Sequence, residues 1–179
     1  MLPRLERLNR QPALPNGMAS ARWCPLSEVE TFRRLVKERL GSRVLVLTLF
    51  GSRAEGRSTA ASDVDVAVLP AGGGVEERLA LACDVAELAS RAFGVPEDKV
   101  DIVFLDDESL PIELLFKAVA KGVLIYCRDA ELYRDLRLRV TSEYLDFRVF
   151  KEKLGLTQAY LRALRRDLVG EGRGAAKGH

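Results

Sequence analysis

The feature that most constrains the fold of this sequence is a turn of small residues between an apolar run and a pair of aspartates. The run Val44–Phe50 is rich in β-branched residues and is bounded by glycines, which predicts a buried strand. After the turn, Asp63 and Asp65 are spaced by two residues. Since side chains at i and i+2 of a strand share a face, both carboxylates are predicted to lie together on a second strand, Asp63–Leu69.

Two carboxylates on one patch favour a bound cation. At an effective dielectric near 20, two negative charges about 5 Å apart repel by roughly 3 kcal/mol, which a divalent ion would cancel. Oxygen ligands without histidine or thiolate favour Mg²⁺. Asp101 interrupts a later apolar strand, Asp98–Leu105, and we expect it to join Asp63 and Asp65, so that three carboxylates hold two ions. The alternative is that these residues are only exposed strand acids.

At these residues the sequence resembles the nucleotidyltransferase superfamily of the DNA polymerase β type. Asp101 lies on a later strand, and the other matching positions are Gly51, Ser52, Ala54, Gly56, Ser62, Asp63 and Asp65. Further matches at 110–126, at Asp129 and at 143–147 resemble the minimal nucleotidyltransferase that is partnered with a HEPN-domain protein. Together the resemblance covers roughly residues 43 to 150.

The resemblance implies an α+β fold of the polymerase β type, with a short mixed sheet flanked by helices and a C-terminal helical region. It also implies transfer of AMP from ATP, with release of pyrophosphate. Asp63, Asp65 and Asp101 would bind Mg²⁺, and Gly51 and Ser52 would hold the β- and γ-phosphates. The implied role is that of an antitoxin, which adenylylates a tyrosine of its partner, a HEPN ribonuclease toxin.

One departure from the family pattern lies in the turn. The position after Ala54 is often arginine in such relatives, whereas this chain has Glu55 there and arginines at Arg53 and Arg57. Either arginine could neutralise triphosphate charge, and Arg53 is our candidate for a nucleotide contact. Ser62 is a further candidate, although a serine at this place more often supports the loop.

The composition fits one catalytic domain. The 179 residues divide into a flexible N-terminal extension (1–25), a nucleotidyltransferase domain that includes C-terminal helices (26–169) and a disordered tail (170–179). With 47% hydrophobic residues and no run long enough to cross a bilayer, we expect a cytoplasmic protein without a membrane partner. His179 is the sole histidine and ends the chain, which argues against histidine-dependent catalysis.

Helical periodicity predicts the remaining elements. Helices are expected after Ser27, over Val75–Phe93, between Ser109 and Gly122, and from Asp129 onward, with a strand at Val123–Cys127. A further stripe of leucines, Leu161, Leu164 and Leu168, continues beyond a break at Gly155.

Other functions stay open at this level. The enzyme could modify a small molecule, as aminoglycoside nucleotidyltransferases do, or the protein could be a non-catalytic antitoxin that neutralises its partner by binding alone. Residues 1–25 carry four basic and one acidic residue, and 162–179 carry five basic and two acidic, so each end has a net charge of +3. Because no aromatic residues are interleaved with these arginines, direct nucleic-acid binding is not expected.

Overall fold

A computed structural model of the chain describes residues 26–59 and 62–155. Its helices are α1 (Leu26–Leu40), α2 (Gly51–Ala54), α3 (Val75–Phe93), α4 (Ile112–Leu115) and α5 (Ala130–Lys153). Its strands are β1 (Val44–Phe50), β2 (Val64–Pro70), β3 (Val100–Phe104) and β4 (Val123–Cys127). A 3₁₀ turn (Glu97–Lys99) precedes β3, and a π-helical turn (Phe116–Ala120) follows α4.

The four strands form one mixed sheet in the order β3-β2-β1-β4. Strand β1 pairs antiparallel with both β2 and β4, whereas β2 and β3 are parallel. The parallel pair is joined by α3, a crossover of the kind that parallel neighbours require. This topology places β2 and β3, the two strands that carry the candidate aspartates, side by side.

One face of the sheet is packed against α1 and α3. Val64, Val66 and Val68 of β2 are fully buried there, together with Phe32 of α1 and Val85 of α3. These valines alternate with the residues on the other face of β2, as the period of two requires. They point into the core, away from Asp65.

The other face is covered by the C-terminal elements. Ala67 of β2 packs with Val119 of the π-helical turn and with Leu136 and Val140 of α5. Helix α5 begins after Asp129, whose carboxylate accepts a hydrogen bond of 2.8 Å from the Glu131 N–H. Asp65 shares this face of β2 with Ala67 but lies at the start of the strand, where it is only partly buried.

The predicted α+β architecture, a short mixed sheet flanked by helices, is confirmed, and β1 and β4 have the predicted bounds. Two boundaries were wrong: β2 begins at Val64, which leaves Asp63 just before the strand, and the 3₁₀ turn takes up the start of the segment expected as the third strand. The predicted extension 1–25, the leucine stripe beyond Gly155 and the tail 170–179 lie outside the described residues. Among the helices of the described part, none is both long and apolar enough to span a membrane.

Candidate active site

Asp65 and Asp101 are direct neighbours on the parallel strands β2 and β3. They are register partners, so their side chains leave the same face of the sheet. The pKa of Asp65 is raised, first by burial and then by the negative charges of Asp101 and Asp63. Asp65 and Asp101 therefore lie together, as predicted. Their negative charges repel each other, and a bound cation would reduce this repulsion.

Gly51 is packed directly against Asp65. It begins α2 at the end of β1, and its φ of 69° lies in the left-handed region that favours glycine. A β-carbon at this position would overlap the Asp65 carboxylate and lie 2.7 Å from Asp65 Cγ. The absence of a side chain thus lets the turn approach the carboxylates.

Asp63 lies at the entrance to β2 and is paired with a lysine. Its Oδ1 atom is 3.1 Å from Lys99 Nζ at the end of the 3₁₀ turn. The same oxygen is buried, and within residues 26–59 and 62–155 it has no hydrogen-bond partner other than Lys99. The pKa of Lys99 is raised, first by its hydrogen bond with Asp63 and then by the charge of that carboxylate. Sequence reasoning missed Lys99, although its spacing of two from Asp101 was a usable signal.

Arg53 does not take the place expected for it. Only 7% of the residue is exposed, and its guanidinium donates to the carbonyl oxygens of Ser62 (3.0 Å) and Asp63 (3.3 Å). The same group lies over the ring of Phe93, 5.6 Å from its centroid. Because the side chain is directed inward and fastens α2 to the segment that carries Asp63, the phosphate contact expected from Arg53 has no support in this geometry and stays a prediction.

The other polar residues of the turn have different roles. The Ser62 hydroxyl accepts a hydrogen bond of 2.9 Å from the Thr59 N–H and so supports the loop. Arg57 is exposed and forms an ion pair with Glu55, the residue that departs from the family pattern. Ser52, in contrast, has no side-chain partner among the described residues, and its hydroxyl is free to meet a ligand beside Gly51.

The two acids that follow β3 are not part of the carboxylate cluster, by which we mean Asp63, Asp65 and Asp101. Asp106 forms an ion pair with Arg78 of α3. Asp107 accepts hydrogen bonds from the Ser109 side chain (2.7 Å) and N–H (2.9 Å), and these bonds lower its pKa. Both acids thus hold the turn after β3 in place.

The donor set suits a hard divalent cation. Asp63, Asp65 and Asp101 offer carboxylate oxygens without nitrogen or sulfur, and two of them repel each other across adjacent strands. As the side chains of the described residues stand, however, no three acidic, histidine or cysteine groups are gathered closely enough to form a ready metal site. Asp63 is instead paired with Lys99, so a cation that bound Asp63 would compete with the lysine ammonium for this carboxylate.

The comparisons with known proteins agree with the fold. Residues 34–131 match the family described as "Polymerase beta, Nucleotidyltransferase". A solved structure of a toxin–antitoxin with AMP-PNP is similar in fold, with 20% identity, a TM-score of 0.52 and coverage of 70% of this chain and 94% of that one. A mutant of the toxin–antitoxin MntA–HpeT is similar too, with 17% identity, a TM-score of 0.51 and coverage of 70% and 93%. No curated protein matches the sequence significantly.

The family match spans more than half of the chain and includes all the elements that build the site. The aspartates of β2 and β3, the glycine-serine turn after β1 and the mixed sheet that joins them lie within the matched residues. The chain therefore belongs to the polymerase β-type nucleotidyltransferase family.

Proposed function

We propose that the protein is a Mg²⁺-dependent nucleotidyltransferase that transfers AMP from ATP to a hydroxyl of a partner protein. The single observation that supports this most strongly is the pairing of Asp65 with Asp101 against the bare backbone of Gly51. This arrangement gathers negative charge beside Gly51, whose lack of a side chain lets the Asp65 carboxylate lie against the turn.

Each residue of the site has its own role in this proposal. Asp63, Asp65 and Asp101 would hold Mg²⁺, which when bound neutralises triphosphate charge and activates the attacking hydroxyl. Gly51 and Ser52 would position the β- and γ-phosphates. Asp101, the most exposed of the three acids, is placed to accept the proton of the acceptor hydroxyl.

The reaction balances as a single displacement. The acceptor oxygen forms a bond to the α-phosphorus of ATP, and the bond from that phosphorus to the bridging oxygen of the β-phosphate breaks. Pyrophosphate leaves with the bonding electrons, and the hydroxyl proton passes to a carboxylate. The product is an AMP ester of the acceptor.

We propose a HEPN-domain toxin as the acceptor protein and a tyrosine of that toxin as the acceptor residue, which makes this chain the antitoxin. The support is the family resemblance and the likeness in fold to chains from toxin–antitoxin structures. The exposed position of Asp101 is also suited to a bulky acceptor, because the end of β3 is open to an approaching protein surface.

The test is to mix the protein with α-labelled ATP, Mg²⁺ and the product of the neighbouring gene. We expect label on a tyrosine of that product with wild type and none with Asp65→Asn. Lys37→Met is a suitable control, since Lys37 lies on α1 at the opposite face of the sheet. Absence of transfer from the wild type would reject the proposal.

The same variants separate the alternatives. If Asp65→Asn still neutralised the toxin in cells, the protein would act by binding alone. If the label went to an added aminoglycoside and not to protein, the acceptor would be a small molecule.

A further inference from the structure

We propose that Lys99 is a built-in counter-ion of the carboxylate cluster, which competes with the divalent metal for Asp63 and thereby sets the affinity of the site. This inference rests on the proposed function, because it assumes that Asp63, Asp65 and Asp101 are the metal ligands. It adds a residue to which the family motif gives no role.

The contact itself is specific. Lys99 Nζ is 3.1 Å from Asp63 Oδ1, an oxygen that is buried and otherwise lacks a hydrogen-bond partner in the described residues. Of the ion pairs formed within residues 26–59 and 62–155, this is the only one that involves a member of the carboxylate cluster. Neither Asp65 nor Asp101 is neutralised by an ion pair in that part of the chain.

Lys99 is anchored in position by its backbone. It ends the 3₁₀ turn, where its N–H donates to the Pro96 carbonyl oxygen at 3.1 Å, and it precedes Asp101 by two residues. Its side chain is nevertheless half exposed, as is that of Asp63. Because ion pairs this exposed are weak, the ammonium can be displaced into solvent while the backbone stays fixed.

The charge balance gives the direction of the effect. Three carboxylates and one ammonium leave the cluster with two net negative charges, and removal of the ammonium leaves three. A divalent cation is attracted more strongly by the second arrangement and no longer has to displace a competitor from Asp63. Loss of the lysine charge should therefore tighten metal binding.

The experiment measures Mn²⁺ binding to the full chain by electron paramagnetic resonance of the free ion, at low ionic strength and without nucleotide. We expect Lys99→Met to lower the dissociation constant for Mn²⁺ about threefold to tenfold. The effect should be no larger, because the charge pair is partly exposed to solvent. Lys99→Arg, which keeps the charge, and Lys37→Met, which removes a charge on the opposite face, should stay near the wild-type value.

A second measurement compares the thermal unfolding temperatures of the variants. Without divalent ions, Lys99→Met should unfold at a lower temperature than Lys37→Met, because its carboxylates have lost their counter-ion, and added Mn²⁺ should remove this difference. If Lys99→Met folds poorly, Lys99→Gln is measured in its place.

The outcomes are distinguishable. An unchanged or weaker affinity in Lys99→Met would overturn the role of Lys99, provided that Asp65→Asn binds Mn²⁺ less tightly than wild type does. If Asp65→Asn binds as tightly as wild type, the proposed metal site itself fails, and the inference about Lys99 fails with it.

Discussion

Gly51 lies so close to Asp65 that a β-carbon added at residue 51 would be 2.7 Å from Asp65 Cγ. The contact joins the turn after β1 to the carboxylate on β2, two features that the sequence separates by 14 positions. Two observations explain why position 51 needs a glycine. The φ of 69° lies in the left-handed region, and the Asp65 carboxylate occupies the space that a β-carbon would fill.

The first prediction concerns Gly51→Ala. Alanine would be strained at this φ by about 1–2 kcal/mol and would also push the Asp65 carboxylate from its place. We expect at least about tenfold slower AMP transfer, since small displacements at a reacting centre are costly. Label transfer to the partner protein measures the effect.

Gly94→Ala is the matched control. Gly94 has nearly the same φ, 64°, but an added β-carbon there meets nothing within 4 Å. It should therefore lose a similar amount of stability without slower transfer per folded molecule. Equal losses of transfer in both variants would show that backbone strain alone accounts for the effect.

The second prediction concerns Asp65→Asn. The folded-state pKa of Asp65 is raised above its usual value, so the ionised side chain opposes folding at neutral pH, where the unfolded chain carries the same charge at no cost. The asparagine variant should stabilise the metal-free protein by about 0.5 kcal/mol, after allowance for solvent screening of a half-exposed group. It should also abolish transfer.

The pH dependence follows from the same shift. The destabilising contribution of Asp65 is present above its raised pKa and disappears as the pH falls through that pKa and then the unfolded one. The difference in melting temperature between Asp65→Asn and wild type should hence shrink as the pH is lowered toward about 4. Thermal unfolding followed by circular dichroism tests this, and a difference that grows on acidification would contradict it.

The third prediction concerns Arg53→Met. The change removes two hydrogen bonds to carbonyl oxygens, those of Ser62 and Asp63, and the contact with the Phe93 ring. We expect a loss of about 2 kcal/mol in unfolding free energy and slower transfer, because the segment that carries Asp63 is released. Denaturant unfolding and label transfer measure the two effects.

Arg91→Met is the control for this variant. Arg91 lies on the same helix as Phe93 and forms only an exposed ion pair with Glu87, so its loss should change stability by no more than about 0.5 kcal/mol. If Arg53→Met behaved like Arg91→Met, the proposed fastening of α2 to the Asp63 segment would be wrong.

The fourth prediction concerns the N-cap of α5. Asp129→Ala removes the acceptor of the Glu131 N–H and should cost about 1 kcal/mol of stability. Asp129→Asn, which can still accept that hydrogen bond, should cost much less. Neither variant should alter the transfer rate of the folded protein, because the cap belongs to the covering helix and not to the cluster.

Local patterns in the sequence predicted most of the fold because each depends on near neighbours. The β-branched run of β1 and the helical spacing from Asp129 onward are of this kind, and both elements are found where expected. The pairing of Asp65 with Asp101 could also be foreseen, because strand order and period place them together.

The missed features depend on contacts between distant residues. Arg53 was expected at a phosphate, but its partners on the segment before β2 and on α3 become visible only once these elements are packed. Lys99 likewise meets Asp63 across 36 positions of sequence. The π-helical turn at Phe116–Ala120 replaced the end of an expected ordinary helix, which periodicity alone does not distinguish.

The most direct test of the central claim is calorimetric titration of the protein with a non-hydrolysable ATP analogue, with Mg²⁺ and then with a chelator. If Asp63, Asp65 and Asp101 bind the metal beside the triphosphate, the wild type should bind the analogue at least about tenfold more tightly with Mg²⁺, and Asp101→Asn should lose most of that gain. Equal affinity with and without Mg²⁺, or a full gain in Asp101→Asn, would contradict the account.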